Sequence, residues 1–357
     1  MTSSIAAMLS IGLLPSFMKK SYYRMRGAKI GKGVSLGFLS VLDADHIEIG
    51  DHSRIGMMVR IRAKRFKMGA YSQIQHSTTI AASTVRIGNE TTISHDVTVG
   101  GLESWESKFV IGDRCTVFMR SFINPTKNVI IGDDVGIGGS NYLFTHGSWS
   151  NALEGFPMGF GPIMIEDRVW LPWRVFVLPG VTIGHDSVIA AGSVVSKSIP
   201  PMSLAAGVPA KVMKSGDDFV VVQSKEQKTR TLTQWFAEFP SFLRMARLIV
   251  SGSPEAEHAI WSGRVCEKNG RVLGSVLVVG HATDEMTSTS GKRLFLLALD
   301  SVPADTRKQV ESGGGAWFDL KDYVWGGSRD RLTVELRSFL EQFGVRFEST
   351  DLREERQ

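Results

Sequence analysis

The chain has 357 residues, 43% hydrophobic and 22% charged, with a formal net charge of +5 and only two cysteines. That composition excludes a largely disordered chain and leaves room for two domains, each with its own core. Cys115 and Cys266 stand far apart and fit neither a disulfide framework nor a zinc spacing, so a reducing, cytoplasmic setting is expected.

Residues 5–17 form an apolar stretch at the start of the chain, short of the ~18 residues a membrane span requires. No basic residue precedes it and no small-residue cleavage site follows, so neither a span nor a signal peptide is expected. A basic, aromatic segment comes next, Met18-Lys-Lys-Ser-Tyr-Tyr-Arg-Met-Arg. Residues 1–27 are read as helical, either a cap over the first coil of a solenoid or a weak contact with an anionic membrane surface at its inner face. The cap is the preferred reading.

Basic charge gathers at this end. No acid precedes Asp43, and a second acid-free stretch, residues 52–89, holds Arg54, Arg60, Arg62, Lys64, Arg65, Lys67 and Arg86. Residues 1–215 carry 22 Lys and Arg against 15 Asp and Glu, whereas residues 216–357 carry 19 against 21. No nucleic-acid motif accompanies the charge, and nucleic acid is not an expected partner.

From Ile30 to Val195 an apolar residue recurs every six positions, in runs of three: Ile49, Ile55, Ile61; Met68, Ile74, Ile80; and so on to Ile183, Ile189, Val195. Six matches neither the 3.6-residue period of a helix nor the two-residue period of a strand. It matches a short strand plus a corner, three to a coil, stacked at strand spacing into a solenoid of about eight coils. Gly31, Gly50, Gly69, Gly88, Gly112, Gly132 and Gly184 mark one corner, where a positive φ is expected. Two inserts leave the coils, near residues 101–108 and at 146–162. Loops on a rigid frame are where chemistry commonly sits.

Beyond residue 215 the repeat stops. Residues 223–230 read as polar linker, 232–250 as a helix interrupted by Pro240, and 258–265, 272–279 and 293–299 as strands. Helices are expected at 305–311 and 329–343, with a strand or turn at 317–325. Residues 216–357 thus read as an α/β domain of unassigned role.

Residues 169–214 run VWLPWRVFVLPGVTIGHDSVIAAGSVVSKSIPPMSLAAGVPAKVMK. The segment resembles the hexapeptide-repeat acyltransferases, in particular the galactoside, maltose and polysaccharide O-acetyltransferase branch, which share V-W-I-G, L-P-G-V-T-I-G, A-G-S-V-V-[ST]-K, I-P-P and A-G-x-P-A-[KR]. The resemblance covers roughly residues 28–215. It implies a left-handed parallel β-helix, mainly β, before the smaller α/β domain. It further implies a homotrimer with sites between neighbouring prisms, acetyl-CoA as acyl donor, and a saccharide or lipid-linked saccharide acceptor.

Direct transfer from a thioester to a hydroxyl needs a base poised near neutrality, the natural task of histidine, and oxyanion donors that backbone N–H groups can supply. His146 lies between Ile131-Gly-Asp-Asp-Val135 and Val169-Trp170, where the resemblance places the catalytic base. His95, in Ser-His-Asp-Val-Thr-Val-Gly, is the rival, similar to the base of sugar N-acyltransferases. The resemblance maps cofactor contacts onto Trp170, Trp173, Ala191, Ser196, Lys197 and Lys211. No metal is expected, because the short-spaced histidines of the zinc-binding branch are missing. Pro172 and Trp173 depart from the motif. They leave open a third reading, a non-catalytic scaffold with a blocked groove.

Overall fold

The structure, a computed structural model, describes residues 10–102, 106–147, 150–251, 259–282 and 293–354. The chain divides into two compact units, residues 1–221 and 222–357.

In the first unit the six-residue repeat becomes short strands joined by corners, three strands to a coil. Ile30, Ile49, Met68, Ile87, Ile111, Ile131, Ile165 and Ile183 are successive Cα partners up the first face. Leu36, Ile55, Ile74, Ile93, Val117, Ile137 and Leu171 stack on the second. Leu42, Ile61, Ile80, Val99, Ile123, Leu143, Val177 and Val195 stack on the third. All are buried in one continuous core. The result is an eight-coil parallel β-helix, closed by an antiparallel hairpin of Ser203–Gly207 and Ala210–Ser215.

The glycine corners differ from expectation. Gly50, Gly69, Gly88, Gly112 and Gly132 do not have positive φ. They are glycine because a Cβ there would run into the backbone or the Asp/Asn side chain of the next coil. The left-handed conformation falls two residues later, on His52, Tyr71, Glu90, Arg114, Asp134, Arg168 and Asp186, with φ between 53° and 58°. L-residues avoid this region. Here it aims each N–H at the coil below, as Glu90 donates to the Ala70 carbonyl and Arg114 to that of Asn89, both at 2.9 Å.

Two ladders flank the left-handed residue, one just before it and one just after. The Oδ1 atoms of Asn89, Asp113, Asp133 and Asp167 accept the backbone N–H of Ala70, Asn89, Asp113 and Asp133, at 2.7–2.8 Å. Ser53, Ser72 and Thr91 donate to the carbonyls of Gly69, Gly88 and Gly112. Cys115 takes the next rung, its Sγ donating to the Gly132 carbonyl at 3.0 Å and accepting the Val135 N–H at 3.3 Å.

The first coil has no coil beneath it, and the N-terminal segment takes that place. Lys20 donates to the Val34 carbonyl at 3.0 Å, Arg24 to that of Ile30 at 2.7 Å, and the buried Lys19 to those of Gly37 and Ser40. Ser16 Oγ, the Gly12 carbonyl and Tyr23 OH accept the N–H groups of Leu36, Leu39 and Leu42. These cations of the helix Ser16–Met25 donate to the open strand edge of the first coil, and Lys19 is buried there.

The second unit is a seven-stranded mixed sheet with helices. Its first helix corrects the sequence reading: it spans Lys225–Met245, runs through Pro240, and gives way to the strand Leu248–Ser251. A capping box of Ser224 and Gln227 starts it inside the stretch read as linker. Burial of Leu232, Phe236, Phe239 and Leu243 holds both sides of Pro240 in one helix, despite the lost hydrogen bond. Residues 317–325 resolve into two antiparallel strands, Ala316–Asp319 and Val324–Gly327.

Candidate active site

His146 opens a hairpin that leaves the sixth coil at the corner between the third and first faces. The strand His146–Gly147 pairs antiparallel with Gly159–Phe160. Its root is fixed by the buried Thr145, whose Oγ1 donates to the Asn124 carbonyl at 2.6 Å and accepts the Lys127 N–H at 2.9 Å. The half-buried imidazole stacks on Phe160, with centroids 5.8 Å apart at 20°. Its Nδ1 is shielded from solvent and has no hydrogen-bond partner among the described residues. A shielded polar atom of this kind costs free energy unless something bound there satisfies it.

One coil below, the same corner carries Asn124-Pro125-Thr126-Lys127-Asn128. Asn124 Oδ1 accepts both the N–H and the hydroxyl of Thr126, at 3.1 and 2.7 Å, and Thr126 Oγ1 accepts the Leu102 N–H at 3.1 Å. Asn128 Oδ1 is a second buried polar atom unpartnered among the described residues. Sequence reasoning passed over it; the backbone carbonyl of Asn128 accepts the Ile163 N–H at 2.9 Å, where the chain returns from the insert to the first face.

His95 sits elsewhere, half-buried at the corner between the second and third faces of the fourth coil. The structure does not bring the two histidines to one corner. Trp173 and Ala191 follow Leu171 and Ile189 at the same corner as His95, three and four coils on. Trp170 lies on the second face, edge-on to Phe118 at 6.5 Å. Both tryptophans are built in: a Cβ at Gly136 would meet the Trp170 ring, and one at Gly139 would meet the Trp173 ring. Pro172 removes a rung. Phe118, Gly138 and Ala190 each donate their N–H to the next coil at this position, and proline has none to give.

Ser196 and Lys197 are exposed at the third-to-first corner of the last coil, and Lys211 is exposed on the closing hairpin opposite Ala206. The mapped cofactor residues thus cluster on the last two coils and the hairpin but divide between two corners. The third face between those corners carries an aromatic ladder that the period of six did not reveal. Phe122, Tyr142 and Phe176 are successive Cα partners, and the Tyr142 and Phe176 rings stack at 4.7 Å and 12°. Among the described residues, no three His, Cys, Asp or Glu side chains gather as a metal site would require.

Residues 162–197 match the family described as the hexapeptide repeat of succinyl-transferase. Over 108 residues the chain is 41% identical to a provisionally assigned acetyltransferase of Schizosaccharomyces pombe, covering 30% of this chain and 50% of that protein. A crystal structure of a hexapeptide-repeat acetyltransferase from Vibrio cholerae, complexed with acetyl coenzyme A, shares 23% identity with it. That comparison covers 60% of this chain and 85% of the other at a TM-score of 0.28. Coils, register and matched segment define the class: a hexapeptide-repeat solenoid that resembles acetyltransferases. Within that class, 57 residues are 53% identical to the galactoside O-acetyltransferase of Escherichia coli, 16% of this chain and 28% of the enzyme. The chain spans about half the length, or less, of these two curated relatives.

Proposed function

We propose that the protein is an acetyl-CoA-dependent O-acetyltransferase that acetylates a hydroxyl of a saccharide. The observation that carries this reading is the His146 imidazole, held on a bolted hairpin with a shielded, unpartnered Nδ1. The likeness of 57 residues to a galactoside O-acetyltransferase supports the choice of acceptor. The imidazole takes the proton of the acceptor hydroxyl, whose oxygen forms the new bond to the thioester carbonyl carbon. The C–S bond then breaks, and the histidine returns its proton to the departing thiolate.

In this reading the exposed Lys197 and Lys211 supply the cations that meet the phosphates of the donor. The division of the candidate residues between two corners fits a site completed by a second prism in a homotrimer. Two alternatives remain: N-acylation of an amino sugar with His95 as base, and a non-catalytic scaffold. The missing rung at Pro172 favours the scaffold, while the glycines beneath Trp170 and Trp173 show both rings to be part of the packed wall.

Calorimetric titration with acetyl-CoA tests the reading without knowledge of the acceptor. Saturable binding is expected, weakened in Lys197→Ala and Lys211→Ala. His146→Ala should lose about 10²–10⁴ in turnover with acetyl-CoA affinity retained. Absence of binding would overturn the enzyme in favour of the scaffold, and near-normal turnover in His146→Ala would overturn the assigned base.

A further inference from the structure

The strand Arg60–Met68 turns the corner from the third face to the first and projects Arg60, Arg62, Lys64, Arg65 and Lys67 outward, all exposed. Its lateral neighbours differ in charge. On one side the strand Val41–Ile49 sets Asp43 beside Arg62 and Glu48 beside Lys67. On the other side Thr79, Ala81, Thr84 and Arg86 bring no acid.

On that side the corner opens into a groove of about 340 Å³, and Glu106, next to the lining residue Ser107, is paired with Lys127 at 2.8 Å. Its rim includes Arg62 and Lys64, its floor is Ala63, Ala81, Ala82 and Ser83, and its far wall includes Pro125. Small residues at three successive corners leave the space unfilled. Its volume falls at the lower end of the range of about 300–1,000 Å³ typical of small-molecule pockets.

The groove lies on the same edge of the solenoid as His146. From Ser83 in the third coil to Thr145 in the sixth is three coils, about 14 Å at strand spacing. Hydrogen bonds connect the two places: the groove residue Leu102 donates to Thr126, Thr126 donates to Asn124, and Thr145 donates to the Asn124 carbonyl.

We propose that this groove binds an anionic substituent, carboxylate or phosphate, of the saccharide whose hydroxyl reaches His146, so that the acceptor is an acidic glycan. The proposal rests on the O-acetyltransferase reading for its account of the glycan's fate, and on the groove alone for its charge. Arg62 and Lys64 supply cations to the anion, and the ring lies along the third-to-first edge towards the hairpin.

The test is equilibrium binding of the full chain to three oligosaccharides of equal length: uronic-acid, phosphate-bearing and neutral. At least one acidic oligomer should bind about tenfold more tightly than the neutral one, the effect of one charge-assisted contact. The preference should shrink with added salt and vanish in the Arg62→Gln/Lys64→Gln double variant. Ala81→Phe, which fills the groove without altering charge, should also abolish it. Acetyl-CoA affinity should be unchanged in both variants. Equal binding of neutral and acidic oligomers, or a preference that survives both variants, would overturn the proposal. If acidic preference persists in a chain that does not bind acetyl-CoA, the enzyme reading fails and the groove stands.

Discussion

Two residues, one from each corner ladder, show how the two ladders impose opposite demands on chemistry. Burial pushes the Cys115 thiol up to about 12, so it serves as a neutral hydrogen-bond donor in place of a hydroxyl. Native protein at pH 8 should leave Cys115 unalkylated by iodoacetamide, with reaction only after denaturation. Cys115→Ser should fold with both rungs intact, whereas Cys115→Ala orphans a carbonyl and an N–H at a cost of about 1–3 kcal/mol. Asp133 carries a charge where its rung needs only an acceptor. Burial raises its carboxyl above the ordinary 3.8, opposed by Arg114 and reinforced by Asp167 and Asp134. The folded chain therefore holds this proton to higher pH than the unfolded chain, and stability increases as pH falls from the raised value towards 3.8. At neutral pH the penalty is complete. Asn89 fills the same rung two coils below with an amide. Asp133→Asn should therefore melt above wild type at pH 7, with the difference closing through that acidic window. A lower melting temperature at pH 7 would show that attraction to Arg114 outweighs burial.

At the scale of elements, the N-terminal helix performs the task of a missing coil with side chains. Lys19 is completely buried and donates to two carbonyls of the open edge. Lys19→Met should leave those groups unpaired, costing about 1–3 kcal/mol. At about 2–4 °C per kcal/mol in a domain of this size, thermal melting would register a fall of several degrees. An unchanged melting temperature would mean that the helix does not stabilise the first coil. The basic run was visible in the sequence but its direction was not, since charge reads the same whether it meets solvent, lipid or carbonyl oxygen. The solenoid itself was legible because its period repeats through eight coils, so single irregularities such as Glu166 in place of glycine do not obscure it. Propensity misread the helix Lys225–Met245 for the opposite reason. Pro240 is a strong local signal, and the buried face that overrides it exists only once the sheet is assembled. His146 could be found from its place between motifs. The Arg62 groove could not, because its walls come from corners 19 to 24 residues apart and meet only through the register of the coils.

The whole molecule joins two ways of making a core. The solenoid buries three columns of residues, one per face and each covered by the coil above, whereas residues 222–357 bury aromatic side chains of helices against a sheet. The clusters share no residue: one ends at Ala205, the other begins at Leu232, and the smaller third lies wholly within the second unit. Cores that are separate should respond separately to heat. The intact chain is expected to show two calorimetric transitions, each reproduced by the matching fragment, 1–221 or 222–357. Saturable acetyl-CoA should shift only the transition belonging to residues 1–221, by the ordinary linkage of binding to folding. That outcome would place donor recognition in the coils alone and leave the second unit free to act on the acceptor or on another protein. A single transition shifted as a whole by acetyl-CoA would instead show that the α/β unit is energetically one body with the coils.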